Sequence, residues 1–209
     1  DQSFASLTYW QNWLLAHVST DYFAEDHALA SPLQHLWSMS MQGQMFLLWP
    51  ALMALTVVIA RKMGLSVRRA IFGVFVAITA LSLIWLMTTS DPSSTIYFDT
   101  RARIWEFALG SAIAALAPYL RLPKRAAQTV SVVALGVLVL FCLVSIGTYP
   151  GPMAAVPLLA TSALLLFAAQ GGPAARALSW RPLVMLGSVS YSVYLVHWPI
   201  FVLYLVAVD

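Results

Sequence analysis

The sequence predicts an all-α, polytopic integral membrane protein with about six transmembrane helices. Only 9% of its 209 residues are charged, 61% are hydrophobic, and the mean hydropathy is +0.82. A soluble domain would be about a quarter charged. Long apolar segments recur along the chain, and the basic residues are concentrated in the loops between them. This combination is typical of a protein whose helices lie in a lipid bilayer.

Six segments are long and apolar enough to cross a hydrocarbon core, which takes about 20 helical residues. Helices are expected because a spanning segment must satisfy its backbone hydrogen bonds internally, and the segments are too long for barrel strands. The predicted spans are 35–60, 70–88, 102–120, 127–146, 152–170 and 183–208. Residues 35–209 are therefore expected to form the transmembrane part of the protein.

Residues 1–34 precede the first span and are too polar to cross the membrane themselves. The stretch "SLTYWQNWLLAHV" is aromatic and amphipathic. Indole and phenol rings favour the headgroup level of a bilayer. We therefore expect an interfacial, extracytoplasmic segment with Tyr9, Trp10 and Trp13 near the headgroups.

The loop charges predict the orientation of the spans. Three loops on one side, 61–69, 121–125 and 171–182, hold nine of the 11 Lys and Arg residues. The opposite side has the loops 88–100 and 147–151 and an acidic stretch with Asp21, Glu25 and Asp26. By the positive-inside rule, the basic loops are cytoplasmic, and residues 1–34 and the C-terminus are extracytoplasmic.

Several classes of function have no signal in the sequence. There is no zinc-ligand spacing or phosphate-binding loop, and Cys142, the single cysteine, cannot form a disulfide within the chain. We expect no metal site, no bound cofactor and no nucleic-acid partner. The chain begins at Asp1 without an initiator Met and ends directly after an apolar run. We interpret it as a piece of a longer protein.

The predicted spans contain few ionisable residues, and each is a candidate for function because burial in lipid is costly. Arg103 and Glu106 are three residues apart, on one face of the third span. They could equally form an ion pair that only neutralises itself. Gly110 continues the same face and would suit close helix packing.

The last span carries a stripe of polar residues at helical spacing. Its members are Ser190, Tyr194, His197 and Tyr204. Pro199 cannot donate a backbone hydrogen bond to Leu195, which leaves that carbonyl open. His197 is either a satisfied structural residue or part of a site.

The first span begins with polar residues on two adjoining faces. One face has His35, Ser38 and Gln42, and the other has Trp37, Ser40 and Gln44; Gly43 would allow a close neighbour. The Ser and Gln residues could also serve only as hydrogen-bonding contacts between helices.

The assigned topology places these polar residues at comparable depths in three helices. His35, Arg103 and Glu106 lie near the outer ends of their helices. His197 lies roughly 21 Å above the cytoplasmic start of its helix, and Gln44 lies near mid-membrane. We therefore predict a shared polar pocket that opens outward.

Three blocks carry a resemblance to a known family. The segments "SPLQHLWSMSMQGQMFLLWP", "YFDTRARIWEFALG" and "LGSVSYSVYLVHWPI", in that order, resemble signature blocks of the bacterial acyltransferase 3 family. These are membrane O-acyltransferases that modify cell-surface carbohydrates. With "YWQNW", the resemblance covers most of the chain. One departure concerns 41–46, where an acidic pair common in the family is replaced by Gln42 and Gly43.

The resemblance implies transfer of an acyl group, often acetyl, from cytoplasmic acyl-CoA to a hydroxyl of a cell-surface carbohydrate or glycolipid. It also implies a location in the bacterial cytoplasmic membrane, in contact with membrane lipid. The family's principal catalytic His lies in helices that this sequence lacks, so we expect this chain alone to be inactive. Some members continue into an SGNH-hydrolase-like domain, which is a possible further partner.

The resemblance carries over to motif positions in all three blocks. They are His35, Trp37, Ser38, Arg103, Trp105, Glu106, Gly110, Ser190, Tyr191, His197, Trp198 and Pro199. We expect Arg103 and His197 to stabilise charge or orient the acceptor hydroxyl, with Glu106 holding Arg103. Substrate-binding residues are expected to be His35, Trp37, Ser38, Gln44, Tyr191, Tyr194 and Trp198.

Two other classes of function remain open at this point. The same polar residues could line the path of a transporter or flippase for a surface glycan or lipid-linked substrate. The chain could also belong to a scaffold subunit without chemistry, in which Arg103 and Glu106 form only an ion pair.

Overall fold

The computed structural model describes residues 2–18, 31–89, 95–144 and 151–208, and within these ranges it contains helices and turns but no strand. The described residues contain ten α-helices, which follow one another in the sequence. They are α1 (Gln2–Leu7), α2 (Gln11–His17), α3 (Trp37–Lys62), α4 (Val67–Thr88), α5 (Thr95–Phe98), α6 (Thr100–Leu116), α7 (Lys124–Leu143), α8 (Ala155–Phe167), α9 (Pro173–Leu178) and α10 (Arg181–Val208). The prediction of an all-α membrane protein is confirmed.

Short 3-10 turns extend three of these helices. They are Gln34–Leu36 before α3, Ala117–Tyr119 after α6, and Pro152–Ala154 and Ala168–Gln170 on either side of α8. With these extensions, five segments are long and apolar enough to cross a membrane. These five are Gln34–Lys62, Val67–Thr88, Lys124–Leu143, Pro152–Gln170 and Arg181–Val208.

The third of the six predicted spans, 102–120, does not meet the same criteria within the described residues. Its helix, α6, has 17 residues and is extended by the turn Ala117–Tyr119, so its length is comparable to that of the other spans. Asp99 fixes its start, because its side chain accepts a hydrogen bond from the Arg101 backbone N–H. Pro118 lies in the 3-10 turn that follows. The segment is less apolar than the other five because Arg101, Arg103 and Glu106 lie in its first two turns.

The helix α6 packs most closely against α4. Phe75 of α4 and the small residues Ala108 and Ala112 of α6 form a buried cluster, as expected where two membrane helices approach closely. The hydroxyl of Ser82 donates to the Arg101 carbonyl (2.7 Å) and accepts from the Trp105 N–H (3.1 Å). The α4–α6 pair therefore has both apolar and hydrogen-bonded contacts.

The expectation that Gly110 provides close helix packing is wrong. A methyl group added at Gly110 would meet no atom within 4 Å. The close approach of α6 to α4 occurs at Ala108 and Ala112 instead, which lie on a different side of the helix.

The N-terminal segment is part of the bundle. The short helices α1 and α2 precede α3, and α2 packs against α3 and α5. Gln11 and Asn12 are fully buried there. The interfacial placement of residues 1–34 stays a prediction, and the acidic stretch with Asp21, Glu25 and Asp26 lies outside the described residues, as does most of the loop 147–151.

The remaining helices differ in how far they are covered. Ala134 of α7, Ala160 and Leu164 of α8 and Ala174 of α9 form a second buried cluster. Helix α10, in contrast, has Val202 as its single buried residue within the described chain.

Candidate functional site

The start of α3 and the C-terminal half of α10 bring five polar or aromatic side chains together. We call His35, Ser38, Tyr194, His197 and Trp198 the histidine cluster. The imidazole rings of His35 and His197 have centroids 5.4 Å apart, edge to face, and the Tyr194 ring lies 5.2 Å from His35. Residues separated by about 160 positions in the sequence therefore share one small volume.

Hydrogen bonds fasten α10 to the start of α3. The Tyr194 hydroxyl donates to the His35 backbone carbonyl and lies 2.7 Å from the Ser38 hydroxyl. The Trp198 indole N–H donates to the Ser31 carbonyl (3.0 Å). These bonds fix the position of the histidine cluster although α10 is otherwise little covered.

His35 is the buried member of this cluster, with 4% of its surface exposed. Neither ring nitrogen has a hydrogen-bond partner of good geometry among the described residues. The backbone groups of Pro32 and Leu195 interact electrostatically with the ring, and the Leu195 carbonyl is the one that Pro199 leaves without its helical donor. An imidazole can accept or donate a proton at a substrate hydroxyl.

His197 is more exposed than His35. Its Nδ1 lies 2.7 Å from the Tyr194 carbonyl of its own helix. That contact leaves Nε2 as the nitrogen available to an incoming group. The two histidines therefore present one covered and one accessible imidazole side by side.

A second group of side chains lies on the neighbouring side of α3. We call Trp37, Tyr97, Phe98, Arg103 and Glu106 the arginine cluster. The Trp37 ring makes edge contacts with Tyr97 (4.9 Å between centroids) and Phe98 (5.6 Å). The Arg103 guanidinium lies 5.1 Å from the centre of the Trp37 ring and 5.3 Å from that of Tyr97. Cation–π contacts of this kind stabilise by about 0.5–2 kcal/mol each.

The ion pair between Arg103 and Glu106 is present. Arg103 Nη2 lies 3.2 Å from Glu106 Oε2, with side chains 9% and 19% exposed. A charge at such low exposure is tolerated when it is paired. Glu106 therefore holds the guanidinium in its place beside the two aromatic rings.

Gln44 makes the hydrogen-bonding contacts between helices that the sequence left open as an alternative to substrate binding. Its amide donates to the Tyr9 carbonyl and to Asn12 Oδ1 (2.8 Å each). It accepts from the Trp13 indole (3.4 Å) and the Thr100 hydroxyl (3.3 Å). Both ends of the amide thus join α2 and the start of α6 to α3, so Gln44 connects helices and does not line the histidine cluster.

Tyr191 also lies apart from the other expected binding residues. It is 58% exposed and makes no ring or polar contact with the part of the chain that is described. In the predicted stripe on α10, Tyr194 and His197 face α3. Ser190 instead donates to the Gly187 carbonyl of its own helix (2.8 Å), and Tyr204 is 63% exposed.

The sequence did not single out Tyr97 as a partner of Arg103 or Phe98 as a partner of Trp37. Tyr97 and Phe98 precede α6 directly, and the sequence signal was an aromatic pair just before the N-cap Asp99.

No group of three His, Cys, Asp or Glu residues that could hold a metal ion occurs among the described residues.

Both clusters lie at the end of the bundle opposite the basic turn between α3 and α4. The helix α3 runs about 39 Å from Trp37 to Lys62, and both clusters contact its first turns. The clusters meet there because Trp37 faces one and Ser38 the other. Imidazoles, a hydroxyl and a fixed guanidinium are groups that can position a nucleophilic oxygen and stabilise developing charge.

Comparison with known proteins assigns the chain to a family. A family model described as "Acyltransferase domain", that of the acyltransferase 3 family, matches residues 3–208. The chain is 25% identical to the peptidoglycan O-acetyltransferase OatA of Listeria monocytogenes, over 95% of this chain and 33% of that protein. It is 28% identical to the O-acetyltransferase OatA of Staphylococcus aureus, over 95% of this chain and 34% of that protein.

The chain thus spans about a third of the length of these relatives. No solved structure matches it. Because the family match covers nearly all of the sequence, including both clusters, the chain belongs to the acyltransferase 3 family.

Proposed function

We propose that this chain is the helical part of a membrane O-acyltransferase. The enzyme transfers an acyl group, which we propose to be acetyl, to a hydroxyl of a cell-surface carbohydrate or glycolipid. Acyl-CoA is the donor in this proposal, and the bacterial cytoplasmic membrane is the location. The relatives named for O-acetylation, one of them of peptidoglycan, support the acceptor class.

The observation that carries the proposal is the pairing of His35 with His197 beside Tyr194. Acyl transfer to a hydroxyl needs a group that accepts the hydroxyl proton and donors that stabilise the oxyanion. In this cluster His197 orients the acceptor hydroxyl, and His35 lies next to it as a covered second imidazole. The principal base belongs to the longer protein.

The arginine cluster supports this site from the side. Arg103 is 7% exposed and lies against Trp37, so it acts through position and charge and is not the group that touches the acceptor. Trp37 is directly followed by Ser38, which contacts Tyr194. Holding Trp37 therefore holds the first turn of α3, from which the histidine cluster is built.

The topology proposed from the loop charges separates the two substrates. The basic turn between α3 and α4 faces the cytoplasm, where acyl-CoA is made, and both clusters face the outside, where the carbohydrate lies. The protein would therefore carry the acyl group across the membrane between the two sides.

The test uses the full-length protein in membrane vesicles supplied with labelled acetyl-CoA and cell-surface polysaccharide. We expect label in the polysaccharide for the wild type and about a 100-fold lower rate for His197→Ala, a loss typical of misplacing a reacting group. Tyr204→Ala is the matched control, since Tyr204 is exposed on the same helix. We expect it to leave the rate unchanged.

Two results would contradict the proposal. A His197→Ala enzyme that is normally expressed and fully active would show that the histidine cluster is not the site of acyl transfer. A wild type that exports glycan but adds no label to it would favour a transporter instead.

A further inference from the structure

A cleft separate from both clusters lies between α2, the end of α4 and the start of α6. Its volume is about 530 Å³, which is in the range of small-ligand sites. Three tryptophans line it, Trp10, Trp13 and Trp85, together with Asp99 and Arg101. None of the residues expected from the sequence to bind substrate or to act in catalysis lines this cleft.

The aromatic wall of the cleft is built by the fold. The rings of Trp10 and Trp13 are stacked, with centroids 5.8 Å apart and planes at 29°. Trp13 is fixed by its hydrogen bond to Gln44, and Trp10 is 57% exposed. Two indole faces are therefore held at the surface in one orientation. A tryptophan that only anchors the protein at the headgroup level does not need a fixed orientation.

The opposite wall holds a fixed arginine. The Arg101 guanidinium lies 4.3 Å from the centre of the Trp85 ring, and its Nε donates to Asp99 (3.1 Å). Asp99 also accepts from the Trp85 indole N–H (3.1 Å) and from the Arg101 backbone N–H (2.8 Å). The terminal amino groups of Arg101 make no hydrogen bond with the described residues, and its side chain is 60% exposed.

These walls match the chemistry of a sugar ring. One face of a pyranose presents C–H groups, which pack favourably against the electron-rich face of an indole. Its hydroxyl and carbonyl oxygens accept hydrogen bonds from a planar guanidinium that is already held in place. We propose that this cleft binds a pyranose ring of the acceptor polysaccharide; only the identity of that polysaccharide rests on the proposed function.

The pairing of Arg101 with Asp99 favours a neutral sugar over a lipid phosphate. Asp99 lies beside Arg101 at 3.1 Å and offsets its charge. A phosphate would therefore meet a paired arginine next to a carboxylate, whereas a neutral sugar can use the free donors without that repulsion.

The cleft also lies on the proposed acceptor side. Trp85 is 18 residues beyond Val67, the first residue of α4, and thus about 27 Å from the basic turn. Trp13 bonds to Gln44 on one side of α3, and the histidine cluster begins at Ser38 of the same helix. A sugar chain bound in the cleft therefore lies at the same end of the bundle as the histidine pair.

The test measures binding of two soluble probes to the purified full-length protein by isothermal titration calorimetry. The probes are β-1,4-linked tetramers of N-acetylglucosamine and of glucose. We expect the wild type to bind at least one, and Trp10→Ala and Arg101→Gln each to raise its Kd about fivefold to tenfold. Trp180→Ala and Arg176→Gln are the controls, because both residues are exposed and outside the cleft; they leave the Kd unchanged.

Three results would overturn the inference. They are a wild type that binds neither tetramer, cleft variants that bind as tightly as the wild type, and Arg101-dependent binding of phosphatidylglycerol vesicles without tetramer binding. The last result would make the cleft a lipid site.

The vesicle assay of acyl transfer is independent of this measurement. Tetramer binding that depends on the cleft, in an enzyme that transfers no acyl group, would retain the sugar site and remove the proposed function. Acyl transfer without tetramer binding would retain the proposed function and remove the sugar site.

Discussion

The two clusters at the start of α3 are built in opposite ways. In the arginine cluster, Trp37, Tyr97, Phe98 and Arg103 are each less than 10% exposed, and rings enclose the charge on α6. In the histidine cluster, His35 alone has that degree of burial. Its other side is supplied by α10, a helix with a single buried residue in the described chain.

This contrast indicates that the arginine cluster supports the fold and that the histidine cluster is accessible to substrate. Enclosed contacts such as those of Arg103 stabilise a fold, because breaking them exposes apolar surface and leaves a charge unpaired. A cluster completed by a few hydrogen bonds from a sparsely covered helix belongs to the part of a protein with low local stability, where substrate can enter. Changes in the arginine cluster should therefore act mainly on stability, and changes in the histidine cluster mainly on transfer.

The largest expected effect follows from removing the enclosed charge. Arg103→Ala leaves Glu106 partly buried without its partner and opens space beside Trp37, so we expect a loss of about 3 kcal/mol in the free energy of unfolding. Thermal unfolding in detergent measures it, and acyl transfer should fall in parallel. Arg176→Ala, at an exposed arginine, should change stability by less than about 0.5 kcal/mol. Equal stability of the two variants would show that the arginine cluster is not structural.

The next effect concerns the helix that covers the arginine cluster. Leu15 of α2 packs with Trp37 and Tyr97, and the Tyr9 ring lies where a side chain at Gly43 would be. Gly43→Ala should therefore push the start of α2 away from α3 and lower the free energy of unfolding by about 1–3 kcal/mol.

Gly136→Ala is the matched control for this change. Gly136 lies within α7, and a methyl group there would meet nothing within 4 Å. Alanine at a helix interior position is favoured over glycine by about 0.5–1 kcal/mol. The two substitutions should thus differ in sign, and a shared sign would contradict the packing of Tyr9 on Gly43.

The smallest effect on stability is expected in the histidine cluster. Tyr194→Phe removes the hydroxyl that bonds to the His35 carbonyl and contacts Ser38, at about 1 kcal/mol. Because this bond positions α10, acyl transfer should fall more than stability does. Tyr191→Phe removes a hydroxyl without contacts on the same helix, so it should change neither quantity. A rate for Tyr194→Phe equal to that of the wild type would show that the position of α10 does not matter.

Much of the fold was predictable because hydropathy and charge act locally. Five of the predicted spans are present as long apolar helices. The spacing of Arg103 and Glu106 gave their ion pair, since a helix fixes which side chains at i and i+3 meet. The stripe on α10 gave Tyr194 and His197 as residues on one face, and the structure adds His35 as their neighbour.

What could not be predicted depends on contacts between distant segments. Gln44 was expected near a pocket, yet its amide is used by α2 and α6, which no spacing within α3 reveals. Trp85 and Arg101 meet only because α4 and α6 pack together, so the cleft they line has no signature in either segment.

The bonds from Tyr194 to the start of α3 also set an order of events during synthesis. His35 and Tyr194 are 159 residues apart in the chain. At about 5–20 residues per second, the ribosome needs roughly 8–32 s to make the intervening segment. The arginine cluster, whose members all lie before residue 107, can assemble during that interval. During that interval His35 lacks the helix that later covers it. The proposed site is therefore complete only after most of the bundle has been synthesised.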